Sequence, residues 1–172
     1  MLEQPGRVFP QTGFHVVLTH CTADFDSLAS AVGLAKLWNA ESNTPTFVVL
    51  PRGAHPGVQR FLGLHKHLFP VQSLRSLLSS DCLDSLERLA LVDAQRRDRL
   101  GPAEQLLKHA KSITIFDHHV DQNSDIDANE YVVDQVGSVS TLLCERLLES
   151  QLQLTQAEAT LLALGIHSDT GS

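Results

Sequence analysis

An α/β fold with a mostly parallel five-stranded sheet and helices on both faces is predicted by this 172-residue sequence. Three observations carry the prediction. Short apolar runs rich in β-branched residues alternate with helix-forming segments along almost the whole chain. The connections between them are marked by Pro, Gly, Asn and Ser clusters. The first, third and fourth of these strands run into Asp or His within two residues, and right-handed crossovers bring such ends to one edge of the sheet.

In chain order, Phe14 to Leu18 reads as a buried strand, and Leu28 to Trp38 as a helix too long for a strand. Thr46 to Leu50 is a second strand, closed by the breakers Pro51 to Gly57. Val58 to Leu64 reads as a helix on the spacing of Val58, Phe61, Leu62 and Leu64, and Leu74 to Leu86 as another, in one or two pieces. Leu89 to Val92 is the third strand, ending at Asp93. Pro102 to Ala110 is a helix with proline near its start. Ser112 to Phe116 is the fourth strand, ending in Asp117-His118-His119, and Glu130 to Val133 the fifth. A helix follows over Val139 to Ser150. The capping box Thr155-Gln156-Ala157-Glu158 opens a last helix over Gln156 to Ile166, with His167 and Asp169 expected just past its end.

Composition narrows the function classes. Hydrophobic residues make up 42% of the chain and mean hydropathy is −0.04, the profile of a soluble globular domain. No apolar run reaches the roughly 20 residues of a membrane helix. Residues Met1 to Gly6 show no secretory signal. The cysteines Cys21, Cys82 and Cys144 lack CxxC spacing and point to a reducing compartment, with Cys21 expected to face the core. A net charge of −7 argues against a broad duplex-binding surface. The chain is thus expected to be intracellular.

The chemistry lies at the strand ends. His20, Asp24 and Asp26 follow the first strand, Asp93 the third, and Asp117, His118 and His119 the fourth. Singly, each has a plain explanation: Asp26 or Ser27 as a helix cap, Asp93 as a turn residue, the histidines as a solvated loop. Together, Asp24, Asp26, Asp93 and Asp169 with His20 and His118 are a ligand set for a hard or borderline ion: manganese, with magnesium or cobalt as substitutes. Two such ions acidify a shared water and neutralise phosphoryl oxygens, which is the chemistry of phosphoester hydrolysis.

The segments His20-x-x-x-Asp24-x-Asp26, Asp93, Asp117-His118-His119 and Asp169-Thr170-Gly171 resemble, in order, the four motifs of the DHH phosphoesterase superfamily. That superfamily includes RecJ-type exonucleases, nanoRNases, cyclic-dinucleotide phosphodiesterases and manganese pyrophosphatases. Ala23 to Ser30, Asp98 to Gly101 and Ala159 to Gly171 look most like the branch found upstream of CBS and nucleotidyltransferase domains in cyanobacteria, and like its plant relatives, which implies a plastid location in a plant and a cytoplasmic one otherwise. The resemblance implies that residues 1–172 form a DHH domain. It implies that His20 and Asp24 hold one Mn2+, that Asp26, His118 and Asp169 hold a second, and that Asp93 bridges them. His119 would meet the scissile phosphate or protonate the leaving oxygen, and Asp117 would orient the histidine pair.

The implied activity is hydrolysis of short oligoribonucleotides, with 3′-phosphoadenosine 5′-phosphate as a further substrate. A pyrophosphatase is disfavoured by Phe25 between the aspartates. Cyclic-dinucleotide hydrolysis and a metal-binding module of little activity are the other readings. Family enzymes usually carry a C-terminal DHHA1 domain that grips substrate, and this sequence stops at Ser172 without one, so slow turnover is expected of it. Arg99, Gly137 and Ser138 are candidate substrate contacts, the first as a cation and the others through backbone N–H groups ahead of a helix. The expected partner is a short oligonucleotide or a nucleotide, not a membrane, with homodimerisation allowed.

Overall fold

A computed structural model describes residues 9–120 and 123–171; the N-terminal residues Met1 to Gly6 and the terminal Ser172 lie outside them. Six strands form one sheet: β1 (Phe14–Leu18), β2 (Thr46–Leu50), β3 (Val71–Ser73), β4 (Leu86–Val92), β5 (Ser112–Asp117) and β6 (Glu130–Val133). Their order is β3-β2-β1-β4-β5-β6 and every pairing is parallel. A parallel sheet needs cover on both faces, and alternate residues of each strand supply it. Val17, Val48, Ala90, Val92 and Phe116 pack under α1 (Phe25–Ser42), α4 (Val139–Glu149) and α5 (Gln156–Thr170). Val16, Leu18, Val49, Leu89, Leu91 and Ile115 face the other way, toward α3 (Leu74–Leu78) and a 3-10 segment, Gly101–Lys108. The remaining helix, α2 (Pro56–His65), adds Val58 to the first of these cores.

The α/β class and the parallel sheet are as expected; the strand count is six rather than five. Val71–Ser73 is too short to display a period of two, so nothing in its pattern marks it as a strand. The helix expected over Leu74 to Leu86 in one or two pieces forms as two short ones, α3 and a 3-10 turn, Leu83–Ser85. Ser79-Ser80-Asp81 breaks it, and β4 begins at Leu86, three residues before the expected Leu89. Gly101–Lys108 winds as a 3-10 helix behind Pro102. Cys21 is half-buried rather than a core residue, its Sγ lying against Gly101.

The correction with most consequence concerns α5. It runs to Thr170 and ends on Gly171 in the left-handed conformation, so His167 and Asp169 lie inside its last turn and not beyond it. Inside this helix Gly165 marks a close approach. A Cβ there would sit 2.7 Å from Ala29 Cβ and 3.1 Å from the Phe25 carbonyl oxygen, and would collide with Ser140 Oγ. The missing side chain lets α5 lie down on α1 and α4, which sets the height of Asp169 above the sheet. Gly165→Ala is therefore expected to destabilise the protein by about 2 kcal/mol through overpacking. It should also weaken metal binding, because Asp169 moves with the helix. Thermal unfolding and metal titration of the variant test both; an unchanged Tm would refute the close-packing argument.

Candidate metal centre

The sheet order reverses between β1 and β4, and in open α/β sheets a crevice forms outside the strand ends at such a point. His20 stands just beyond β1, and Asp93 just beyond β4. Asp93 has a φ of 56°, a left-handed backbone that L-residues other than Asn and Asp rarely adopt. Its N–H donates to the Phe116 carbonyl at 2.9 Å, so the turn is held by β5.

The carboxylate of Asp93 is 7% exposed and faces two groups at once. Oδ2 lies 3.3 Å from His20 Nε2, which is 3.5 Å from Asp24 Oδ2. Oδ1 lies 3.6 Å from His118 Nε2 and 3.5 Å from His119 Nδ1. His118 Nε2 is in turn 3.2 Å from Asp169 Oδ2. Ligand atoms of His20, Asp24 and Asp93 cluster within 4.8 Å of one another, and so do those of Asp26, His118 and Asp169. A third such group joins Asp93 to Asp117, His118 and His119. All eight residues expected to form the centre are brought together at this one rim.

Local structure explains how each is aimed. Asp24 caps α1: Oδ1 accepts from Ser27 N–H at 2.9 Å while Ser27 Oγ accepts from Asp24 N–H, leaving Oδ2 for the site. The cap is thus Asp24, not Asp26 or Ser27. Asp26, in the first turn of α1, is fully buried, and its two oxygens accept from Val139 N–H at 2.9 Å and Ser140 N–H at 2.7 Å. It sits where the N-terminus of α4 favours negative charge. Asp117 Oδ1 accepts from the backbone of His118 and His119 and lies 2.7 Å from His119 Nδ1. His119 is fixed at one ring nitrogen while its side chain stays 43% exposed. His118 Nδ1 lies 3.2 Å from the Val136 carbonyl; donating to it leaves the Nε2 lone pair toward Asp93 and Asp169.

The donor set fits a pair of divalent cations. His20 Nε2, His118 Nε2 and Asp93 Oδ1 are buried without a hydrogen-bond partner, and all three point into the cluster. Among the described residues, no lysine or arginine pairs with Asp24, Asp26, Asp93 or Asp169. Without an ion, protons must neutralise this charge. Burial works against a charged His20, but Asp24 and Asp93 outweigh it and lift the imidazole to about 9. Asp93 above all holds His118 near the same value. Burial raises Asp26 to about 6, against the N–H groups of α4, while Asp93 is held at about 2, burial being outweighed by its histidines.

Several supporting groups escaped the sequence reading. Gln95 donates to the His119 carbonyl at 2.8 Å and accepts from Ser124, securing the histidine loop. Ser140 and the Val136 carbonyl act through the backbone, which no residue type advertises. The candidate substrate contacts fall differently. Arg99 is exposed at the rim, and its carbonyl accepts from Cys21 N–H at 2.8 Å, tying its loop to the His20 turn. Ser138 is buried as the cap of α4 and accepts from Thr141 N–H, and a Cβ on Gly137 would lie 2.8 Å from Thr170. The N–H groups of the first turn of α4 are thus engaged by Asp26 and Ser138 within the protein.

Comparison with known proteins gives the chain a family. Residues 15–166 match the DHH family, N-terminal domain. The chain is 34% identical over 160 residues to an A-adding tRNA nucleotidyltransferase of Geobacter sulfurreducens, covering 91% of this chain and 17% of that protein. It is 32% identical over 170 residues to the cyclic-di-AMP phosphodiesterase GdpP of Geobacillus thermodenitrificans, covering 91% and 25%. It thus spans a quarter or less of these relatives' length. An exopolyphosphatase-related protein from Bacteroides fragilis shares the fold, with a TM-score of 0.74 at 16% identity over 92% of this chain and 46% of that one. No helix among the described residues is long and apolar enough to cross a membrane.

The raised imidazoles give the centre a pH dependence of definite sign. Their folded values near 9 exceed the ordinary 6.5. In chelator-treated protein, the stability they contribute is whole below pH 6.5 and is lost as pH rises through 9. A bound cation must displace those protons. Mn2+ titrated into chelated protein at pH 7 should therefore release about two protons per molecule, and its affinity should climb up to pH 9 and then level. Calorimetry in buffers of different ionisation enthalpy counts the protons; a count of zero would exclude the imidazoles as ligands.

Proposed function

The chain belongs to the DHH phosphoesterase superfamily, and from that premise we propose that it is a metal-dependent phosphodiesterase of the exonuclease type, hydrolysing short oligoribonucleotides. The observation that carries the reading is Asp93, whose two oxygens face two separate ligand groups and so suit a bridge between two cations. His20 and Asp24 would hold one, and Asp26, His118 and Asp169 the other, with Mn2+ preferred and Mg2+ or Co2+ as substitutes. Such a pair supplies an acidified water and neutralises charge on the phosphoryl group.

The protein's own groups do the rest. Asp117 pins His119 at Nδ1, so the exposed ring can present its Nε2 to a phosphate oxygen or to the leaving oxygen. The Asp117 carboxylate is buried and accepts three hydrogens on one oxygen, which fixes the ring before substrate arrives. Arg99 is exposed on the same edge, and its guanidinium would neutralise a phosphate there.

A second reading, a cyclic-dinucleotide phosphodiesterase, is favoured by the similarity to GdpP. One panel separates the two: Mn2+-loaded protein against di- and oligoribonucleotides, 3′-phosphoadenosine 5′-phosphate, cyclic dinucleotides and pyrophosphate. Turnover of the linear oligonucleotides is expected, and hydrolysis confined to the cyclic substrate or to pyrophosphate would replace the reading. Asp93→Ala should lower kcat about 10³-fold or more, equivalent to roughly 4 kcal/mol of transition-state stabilisation. An active Asp93→Ala variant would dismiss the bridging role.

A further inference from the structure

The same rim of the sheet carries a second concavity. Past the ends of β2 and β3 lies a cavity of about 350 Å³ whose walls include Arg52, Lys66 and Arg75, together with Gln72 and Ser73. All three cations are exposed, and none forms an ion pair among the described residues. That is unlike Lys36, Arg88, Arg96, Arg97 and Lys111, each of which meets an acid. The sequence shows why no acid is at hand. Between Glu41 and Asp81 there is no Asp or Glu, while Arg52, Arg60, Lys66 and Arg75 all fall there. The segment carries +4; subtracting that from the chain's −7 leaves −11 on the remainder. Positive charge is therefore segregated to one side of an acidic molecule.

The cavity and the metal centre are joined by backbone. The loop after β2 forms a parallel bridge from Ala54 to Ala23, and His55 N–H donates to the Ala23 carbonyl at 2.8 Å. Ala23 directly precedes Asp24, and Arg52 lies two residues before Ala54, so one short loop spans both sites. Two strand spacings separate the tips of β1 and β3, or about 10 Å. A single-stranded phosphodiester chain of a few nucleotides spans that distance.

We propose that the Arg52–Lys66–Arg75 cleft is a phosphate-binding subsite for a single-stranded phosphodiester chain whose terminal linkage is held at the metal centre. The inference rests on the phosphodiesterase reading and adds a length preference to it. A dinucleotide seated at the metals ends before the cleft, whereas a longer strand reaches it and gains contacts to further phosphates. A guanidinium meets a phosphate through two parallel N–H groups, and Lys66 adds a point charge. Binding there releases counterions and so weakens with salt.

Arg52→Ala/Lys66→Ala/Arg75→Ala removes only exposed side chains and tests the cleft without touching the centre. Affinity for a fluorescent pentaribonucleotide, measured against salt with Ca2+ present, should fall about tenfold or more, and the salt slope should shrink by about 2. Dinucleotide inhibition and Mn2+ affinity should be unchanged, and Lys111→Ala, a surface cation elsewhere, should bind like the parent. Loss of dinucleotide affinity to the same degree, an unchanged salt slope, or a parent protein that does not bind the pentanucleotide would each overturn the inference. If the parent binds the strand with the expected cleft dependence yet cleaves nothing with Mn2+, the cleft is supported and the phosphodiesterase reading alone fails.

Discussion

Asp24, Asp26, Asp93 and Asp169 converge on a small volume at the β1–β4 switch point, and among the described residues no lysine or arginine is there to balance them, only the imidazoles of the site. An uncompensated buried carboxylate costs several kcal/mol, so the buried Asp26 and Asp93, with the partly exposed Asp24 and Asp169 beside them, are tolerable only if N–H donors or positive charge meet them. Protons can do it, which is why two imidazoles are pushed toward basic values and Asp26 toward neutrality. Divalent cations do it with fewer particles and use the buried nitrogens that otherwise have no partner. The rest of the site can be understood as the means of keeping these acids close despite their repulsion.

Those means are mostly backbone. Asp26 is held by N–H groups of α4, more than a hundred residues further along the chain, so helix packing and ligand placement are one event. Asp24 spends one oxygen on its own helix cap and keeps the other for the site. Asp93 is turned inward by a left-handed residue whose strain is offset by a hydrogen bond to β5. Asp169 arrives last, on a helix whose seating depends on a residue without a side chain. Failure of the packing near Gly165 would therefore be felt at the metals, although Gly165 itself touches neither.

How much of this was legible follows from where the information lies. His20, Asp24, Asp26, Asp93 and Asp117 to His119 were readable because each stands at the end of an apolar run, and a parallel sheet puts such ends on one edge. The class of the fold was readable for the same reason. The end of α5 was not, because the apolar pattern stops at Ile166 while the helix runs on through His167-Ser168-Asp169 to Thr170 before Gly171 caps it. β3 was hidden by its length, and the short α3 by leucines whose spacing continues into β4. Val136 and Ser140 support ligands through main-chain atoms, which leave no trace in residue identity.

Net charge was informative but coarse. A value of −7 speaks against a surface that coats nucleic acid, yet it averages an acid-free segment of +4 with a remainder of −11. The two halves of that average have opposite needs: the acidic side must recruit cations, and the basic side must avoid closing on it. The β2 loop keeps them apart while fixing them to each other, since Ala54 is bridged to the turn that carries Asp24 and Arg52 leads away from it. If cations neutralise the centre and the cleft takes phosphate, as proposed, a gradient runs along the rim and a polyanion entering there would be drawn lengthwise rather than end-on. Such an arrangement would orient a strand before any base is read, so that specificity at this edge would begin with the spacing of phosphates.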